Sequence, residues 1–194
     1  MTPIILASQS PRRKRILEQY SIPFEQTSHE FDERSVPWSG DSHGYAKELA
    51  QQKAVDVASR FPKRTIIAAD TIVELDGHLL TKPDDLEDAV KMMSSLSGRW
   101  HSVITGIAII HNSGATADSD ETRVRMQPLT ENQIRSYLKL EQWHDKVGGY
   151  AIQGAGAMLV ERIEGCYYNV IGLPVVCLSK MLKIIGIDIW NHLQ

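Results

Sequence analysis

The sequence predicts an α/β fold in which helices flank a mixed central β-sheet. Stretches with apolar residues at helical spacing alternate along the chain with short apolar runs that are typical of buried strands. Two pairs of these runs are joined by tight-turn signals, which indicates hairpins within the sheet. With 194 residues, 42% of them hydrophobic, the chain can bury a good core. We therefore expect a single domain over residues 1–194, with a shallow cleft between two lobes.

The first predicted elements are a short apolar strand and a helix. Ser10 and Pro11 mark the helix start, because Ser caps orphan backbone N–H groups and the fixed φ of Pro suits the first helical position. Farther on, apolar and alanine residues recur at helical spacing up to Arg60. The predicted elements are a strand at 3–7, a helix at 11–20, a strand at 24–28, a polar loop at 29–41 and a helix at 42–60.

The rest of the chain predicts two hairpins, three helices and one further strand. Residues 64–82 contain the turn signal Asp76–Gly77, and residues 102–129 contain two long strands joined around residues 112–114. Thr130 opens a Thr-Glu-Asn-Gln sequence that resembles a capping box. The predicted helices are 85–96, 130–140 and 175–185, and the last strand is 157–163, after a polar loop rich in glycine.

An anion site is predicted at the start of the first helix. Arg12, Arg13 and Arg15 lie where the helix dipole is already positive, and each cation there costs about 0.3–1 kcal/mol. The arrangement becomes favourable when an anion completes it, because backbone N–H groups, serine hydroxyls and guanidinium groups then converge on one phosphate or carboxylate. The alternative is that these side chains are simply solvated on an exposed helix.

Asp70 is a charged residue in the middle of the largely apolar strand segment IIAADTIVEL. A buried carboxylate without partners is costly, so an acid in this position is normally paired, bound to a metal or placed at a strand end. Asp70 is therefore a candidate metal ligand or general base beside the phosphate site. A local pairing with Thr71 is the alternative.

Other candidate residues are open to two interpretations each. Lys53 and Lys82 suit either a phosphate contact or the protein surface, and Asp32 and Glu33 suit a magnesium site. Gln153 lies among glycines, and its amide can both donate to and accept from the edge of a base. The same glycines are also explained by turns alone.

Composition and missing motifs exclude several function classes. A net charge of −3 argues against a general nucleic-acid binder, and no P-loop, GxGxxG or HExxH pattern occurs. His101 is expected to be structural, and Cys166 and Cys177 to be reduced cysteines of a cytoplasmic protein. The N-terminus lacks the pattern of a secretory signal, and charges interrupt the longest apolar stretch, so we expect no membrane span.

Six motifs together resemble the Maf family of nucleoside triphosphate pyrophosphatases, over essentially the whole chain. They are LASQSPRR, AADT, KPDD, SGRWHSVITG, DKVGGYAIQG and YYNVIGLP, in this order. The resemblance implies a fold similar to that of inosine triphosphatase, a divalent cation (Mg²⁺ or Mn²⁺) and a cytoplasmic homodimer. It also implies hydrolysis of the nucleotide between its α and β phosphates. The YAIQG and YYNVIGLP forms resemble the branch of the family that acts on dTTP and UTP.

The resemblance also implies roles for individual residues. Asp70 matches the catalytic acid of the family, and we expect Asp70 and Glu33 to hold the divalent cation. Positions associated with substrate selection or with the lining of the pocket match Ser8, Arg12, Arg13, Glu33, Lys53, Thr71, Lys82 and Gln153. Lys14 and Arg15 match no pocket position, and we expect them to be solvated.

Two other functions remain open at this point. A nucleotide-binding regulator of septum formation would need the same pocket without significant turnover. A phosphomonoesterase would release inorganic phosphate instead of pyrophosphate.

Overall fold

The structure is a computed structural model that describes residues 2–140 and 143–193. The strands are β1 (Ile4–Ala7), β2 (Phe24–Thr27), β3 (Ile66–Leu75), β4 (His78–Leu80), β5 (Trp100–His111), β6 (Gly114–Met126) and β7 (Val160–Glu164). The α-helices are α1 (Pro11–Gln19), α2 (Ser42–Arg60), α3 (Leu86–Leu96), α4 (Glu131–Leu140), α5 (Tyr167–Ile171) and α6 (Val175–Ile184). Short 3₁₀ helices lie at Glu33–Ser35, Val147–Gly149, Gly154–Met158 and Ile189–His192.

The strands of the described residues form one mixed sheet. Their order is β2-β1-β3-β5-β6-β7, and β4 pairs with β3 outside this path. Strand β1 pairs in parallel with both β2 and β3, whereas β4 is antiparallel to β3 and β7 is antiparallel to β6. The predicted α/β fold with a mixed central sheet is therefore confirmed.

Local signals in the sequence explain most element boundaries. Ser10 caps α1, with its hydroxyl accepting from the backbone N–H of Arg13 at 3.4 Å, and Pro11 occupies the first turn. At α4, the Thr130 N–H donates to the Gln133 side chain at 2.8 Å, and the Gln133 N–H donates back to the Thr130 hydroxyl at 3.4 Å. The predicted cap and capping box are both confirmed.

The structure differs from the prediction at the last strand and at several one-turn helices. The strand predicted at 157–163 begins only at Val160, because residues 154–158 coil into a 3₁₀ helix whose Gly156 lies against the backbone of Ala151. Helix α5 and the other 3₁₀ helices were not predicted. Elements of three to five residues are too short to show a hydrophobic period, so the pattern carries no signal for them.

The chain divides into two compact units. Unit 1 comprises Met1–Asp70, Thr105–Asp120 and Gly172–Gln194, and unit 2 comprises Thr71–Ile104 and Glu121–Ile171. In unit 1, the small face of α2 (Ala50, Ala54, Val57) packs on β1 and β3. The core of unit 2 is built mainly from α3 and α4, with Tyr150 among its buried residues. None of the helices in the described ranges has the length and apolar character needed to cross a bilayer.

Candidate active site

The turn between β1 and α1 is organised around Ser8. This residue follows the last residue of β1 and is buried. Its hydroxyl accepts from the backbone N–H of Ser10 at 3.2 Å and from Nη1 of Arg13 at 3.1 Å. Its carbonyl accepts from Nε2 of Gln26 at 2.7 Å. These bonds fix the turn at the point where the sequence predicts an anion site.

Arg13 is an anchored cation of this helix start. Besides its bond to Ser8, its Nε donates to the carbonyl of Gly172 at 2.7 Å. Burial lowers the pKa of Arg13, the charge of Asp70 opposes this shift, and the charge of Arg12 adds to it. Arg13 is therefore held with its guanidinium in the field of Asp70, and Arg12 lies half-buried beside it.

A buried ion-pair cluster lies at the centre of the site. Lys53 on α2 and Asp70 on β3 are only 4% and 7% exposed. The Lys53 amine donates to Oδ1 of Asp70 and also binds Oε1 of Glu33 at 2.8 Å. Loss of one partner of such a cluster leaves a buried charge uncompensated, which typically costs about 3–5 kcal/mol. Lys53 thus joins the two carboxylates that the sequence nominated as metal ligands.

The position of Lys53 follows from the periodicity of α2. Ala46, Leu49, Ala50 and Val57 are buried on the core side of this helix, and Lys53 falls on the same face at helical spacing. A lysine in this apolar stripe must have a charged partner, and Asp70 supplies it. The helical spacing of this stripe therefore indicates a buried role for Lys53, one of the two interpretations that the sequence allows.

The two acids of the polar loop have different roles. Glu33 starts the 3₁₀ helix Glu33–Ser35 and contacts Lys53. Asp32 instead caps that helix, because its carboxylate accepts from the backbone N–H of Arg34 at 3.1 Å, and its side chain is well exposed. Of the two acids that the sequence offers for magnesium, Glu33 therefore contacts the buried cluster and Asp32 serves as a helix cap.

His29 is a neighbour of the site that sequence reasoning missed. Its Nε2 lies 3.7 Å from Oε1 of Glu33. Burial and the charge of Lys53 lower the pKa of His29, and Glu33 opposes this shift. A single histidine with no metal-ligand spacing to another gave no signal in the sequence.

The donor set of this cluster fits a metal ion that arrives with a nucleotide. In the described parts of the chain, no group of three or more His, Cys, Asp or Glu side chains is arranged to hold a metal. Asp70 and Glu33 nevertheless converge on one amine. Magnesium is usually held by one or two carboxylates, with water and substrate phosphates as its other ligands. The pair suits such a site and not a cage made by protein alone.

The remaining predicted site residues divide between the two units. Ser8, Arg12, Arg13, Glu33, Lys53 and Asp70 come together in unit 1. Thr71, Lys82 and Gln153 belong to unit 2. Thr71 is half-buried on β3 directly after Asp70, Lys82 is exposed before Pro83, and Gln153 is exposed in front of the 3₁₀ helix Gly154–Met158.

The other basic residues of α1 face solvent. Lys14 and Arg15 are exposed, and Lys14 pairs with Glu18 one turn later at 3.7 Å. The basic cluster of the sequence is thus split into the anchored Arg13 with the half-buried Arg12, and two solvated residues.

Comparison with known proteins gives consistent results over nearly the whole chain. A family model described as "Maf-like protein" matches residues 3–185. Two of the similar proteins are named dTTP/UTP pyrophosphatase. The one from Clostridium perfringens (strain SM101 / Type A) is 46% identical to this chain, and the one from Pyrococcus abyssi is 47% identical. Each match covers 93% of this chain and 95% of the other protein. A third protein of this name, from Chlamydia trachomatis serovar L2, is 39% identical over 98% of this chain and 97% of that protein.

A solved structure was also matched. It is described as the structure of the Staphylococcus aureus Ham1 protein, with a TM-score of 0.46 and 14% identity, and the match covers 64% of this chain and 72% of that one. At this identity the likeness says nothing of substrate.

Proposed function

The chain belongs to the family of Maf-like proteins, and we propose on this basis that it hydrolyses dTTP and UTP to the nucleoside monophosphate and pyrophosphate. The observation that carries the proposal is the cluster of Lys53, Asp70 and Glu33, in the field of which Arg13 is anchored. It supplies a buried carboxylate together with fixed cations. When water attacks a phosphoric anhydride, a base has to accept its proton and cations have to stabilise the negative charge of the transition state.

The cations of the site bind and neutralise the triphosphate. Two hydrogen bonds fix the guanidinium of Arg13, so its charge does not have to reorganise during the reaction. Negative charge moves onto the departing pyrophosphate in the transition state. Arg12, Arg13, Lys53 and Lys82 are proposed to stabilise that charge, which lowers the barrier more than it strengthens ground-state binding.

Asp70 is proposed to act on the attacking water. Its Oδ1 accepts from Lys53, which fixes the carboxylate, and we assign to Oδ2 the task of orienting the water and accepting its proton. The water attacks the α-phosphorus in line with the oxygen that bridges the α and β phosphates. The bond to that oxygen breaks, and pyrophosphate leaves with the electron pair.

A divalent cation completes the proposal. Asp70 and Glu33 would hold Mg²⁺ or Mn²⁺, which when bound neutralises phosphate oxygens and stabilises the charge of the leaving group.

Selection of the base is assigned to Gln153, with Thr71 as a further selecting residue. The Gln153 amide offers a donor and an acceptor side by side, which complements O4 and N3–H of uracil or thymine. Its side chain is exposed, so it is accessible to a ligand.

We further propose a homodimer in the cytoplasm. Cys166 and Cys177 are both free thiols, which agrees with a reducing compartment. Analytical ultracentrifugation of the purified chain tests the dimer, and a monomer at all concentrations would contradict it.

The proposed function is tested by product analysis with a panel of nucleotides. Purified protein with Mg²⁺ is given dTTP, UTP, CTP, their 5-methyl forms and 7-methyl-GTP, and monophosphate, pyrophosphate and inorganic phosphate are measured separately. We expect pyrophosphate and monophosphate in equal amounts, fastest from dTTP and UTP. Inorganic phosphate without pyrophosphate would indicate a phosphomonoesterase, and binding without product would indicate a regulator.

A further inference from the structure

A buried polar pair in unit 2 has no part in the proposed hydrolysis. His101 on β5 is 4% exposed, and its Nε2 lies 2.5 Å from the hydroxyl of Tyr150. The two rings meet edge to face, with their centroids 5.5 Å apart. Tyr150 is 6% exposed and belongs to the core of unit 2.

Packing alone does not explain an imidazole in this position. Within the described residues, Nδ1 of His101 is buried without a hydrogen-bond partner, so the bond to Tyr150 compensates only part of the cost of burying the ring. A leucine or phenylalanine would fill the same core space without that cost. Burial lowers the pKa of His101 to about 4 and raises the pKa of Tyr150, so both groups are neutral near pH 7.

Tyr150 begins a four-residue segment that ends at Gln153, and every residue of this segment is anchored. The N–H of Ala151 donates to the hydroxyl of Tyr137 at 3.0 Å, and Ile152 is buried. The carbonyl of Gln153 accepts from the N–H of Gly156 at 3.2 Å. The exposed Gln153 side chain therefore projects from a segment that is held by a hydrogen bond or by burial at each of its four positions.

Tyr150 follows two buried glycines. Gly148 and Gly149 have φ of 73° and 76°, a region that glycine enters without cost, and the N–H of Gly148 donates to the carbonyl of Thr81 at 2.9 Å. His101 lies on a long sheet strand. The hydrogen bond between His101 and Tyr150 ties the segment to the sheet.

We propose that His101 and Tyr150 are positioning residues for nucleotide selection, because their hydrogen bond fixes the segment from which Gln153 meets the edge of uracil or thymine. The inference rests on the proposed function, which assigns base recognition to Gln153. A preorganised amide binds the base without first losing conformational freedom. Loss of the bond should therefore weaken nucleotide binding and leave the hydrolytic step nearly intact.

A double-mutant cycle separates positioning from a purely structural role. Tyr150→Phe removes the hydroxyl and keeps the ring, and it is made in the wild-type chain and in Gln153→Ala. Tyr167→Phe, which removes a hydroxyl from an exposed tyrosine, is the matched control. For each protein, KM and kcat for UTP are measured, together with calorimetric binding of uridine 5′-(α,β-imido)triphosphate, whose α–β bridge resists hydrolysis.

We expect Tyr150→Phe to raise KM and the Kd of the analogue about 5-fold, the effect of one lost hydrogen bond, with kcat within about 2-fold. In the Gln153→Ala background it should have no further effect. The same fold-loss in both backgrounds, a fall in kcat alone, or no effect would overturn the inference. The proposed function fails separately, if the wild-type chain binds the analogue but releases no pyrophosphate from UTP.

Discussion

Lys53 is the residue on which the geometry of the candidate active site depends most. Its buried amine binds Asp70 and Glu33 at once, so two acids that would repel each other are held together. The same contact fixes one oxygen of Asp70 and thereby orients the carboxylate that the proposed mechanism uses as a base. Lys53 thus links the stability of the site to its chemistry.

Because only some basic residues of α1 face the site, we predict different effects on activity for two arginines of this helix. Arg13→Ala removes a cation anchored by Ser8 and Gly172, and we expect kcat/KM for UTP to fall about 10²-fold, as for loss of a preorganised donor. Arg15→Ala alters an exposed side chain and should stay within about 2-fold of wild type. Pyrophosphate release is the measurement, and losses of equal size would contradict this assignment.

His101 predicts a specific pH dependence of stability. Its pKa in the folded protein is about 4, below its ordinary value of 6.5, so the unfolded chain binds one more proton between these two values. The free energy of unfolding should therefore fall as pH falls through this window, by about 3 kcal/mol in total. Because carboxyl groups also titrate at acidic pH, the comparison with His101→Gln isolates the contribution of the histidine.

The measurement is urea unfolding of both proteins at several pH values. We expect the wild type to lose about 3 kcal/mol relative to His101→Gln between pH 7 and pH 4. If the free energies of unfolding of the two proteins changed in parallel over this pH range, His101 would be already protonated, or not buried, in the folded protein.

The residues of the site could be predicted to different degrees. Asp70 could be predicted because a charge inside an apolar strand has few explanations. Ser10 and Pro11 could be predicted because the signal for a helix start lies within neighbouring residues. His29 and the Gly172 carbonyl that accepts from Arg13 could not be predicted. The Gly172 carbonyl accepts from an arginine 159 residues away, and a lone histidine four residues before a glutamate carries no specific local signal.

At the level of elements, the long regular segments were predictable and the one-turn segments were not. Helix α2 has the bounds expected from its apolar spacing, and the β3–β4 hairpin turns at Asp76 and Gly77 as the turn signal indicated. The 3₁₀ helices around Gln153 depend instead on contacts that have no periodic signal, such as the close approach of Gly156 to Ala151 and the hydrogen bond from the Ala151 N–H to the Tyr137 hydroxyl.

The packing of α2 on β5 in unit 1 predicts a large effect of one methyl group. A Cβ on Gly106 would collide with the backbone of Ala46 and Lys47, where no flexible side chain can move aside. We expect Gly106→Ala to destabilise the protein by about 3 kcal/mol, at the upper end of overpacking effects.

Gly186→Ala is the comparison for that prediction. Gly186 has φ of +81°, and no described atom lies within 4 Å of the position that its Cβ would take. This change should cost only about 1 kcal/mol, the strain of a left-handed backbone. Chemical unfolding of both variants is the measurement, and similar losses would show that α2 and β5 do not pack as closely as described.

At the scale of the whole molecule, the chain passes from one compact unit to the other within β3, between Asp70 and Thr71. The proposed hydrolytic groups other than Lys82 belong to unit 1, and the proposed base-selecting residues Thr71 and Gln153 belong to unit 2. The sequence predicted the mixed sheet and a cleft between two lobes. It could not place the boundary of the compact units within β3, because clusters of buried residues arise from contacts that periodicity does not encode.

Asp70→Asn tests whether Asp70 acts on the water that hydrolyses the α–β anhydride. The amide keeps the shape of the side chain but cannot accept the proton of water, and Lys53 retains Glu33 as a partner. We predict that pyrophosphate release from UTP falls about 10²–10⁴-fold, while the non-hydrolysable α,β-imido analogue still binds. Release of pyrophosphate at the wild-type rate by the folded variant would contradict the account.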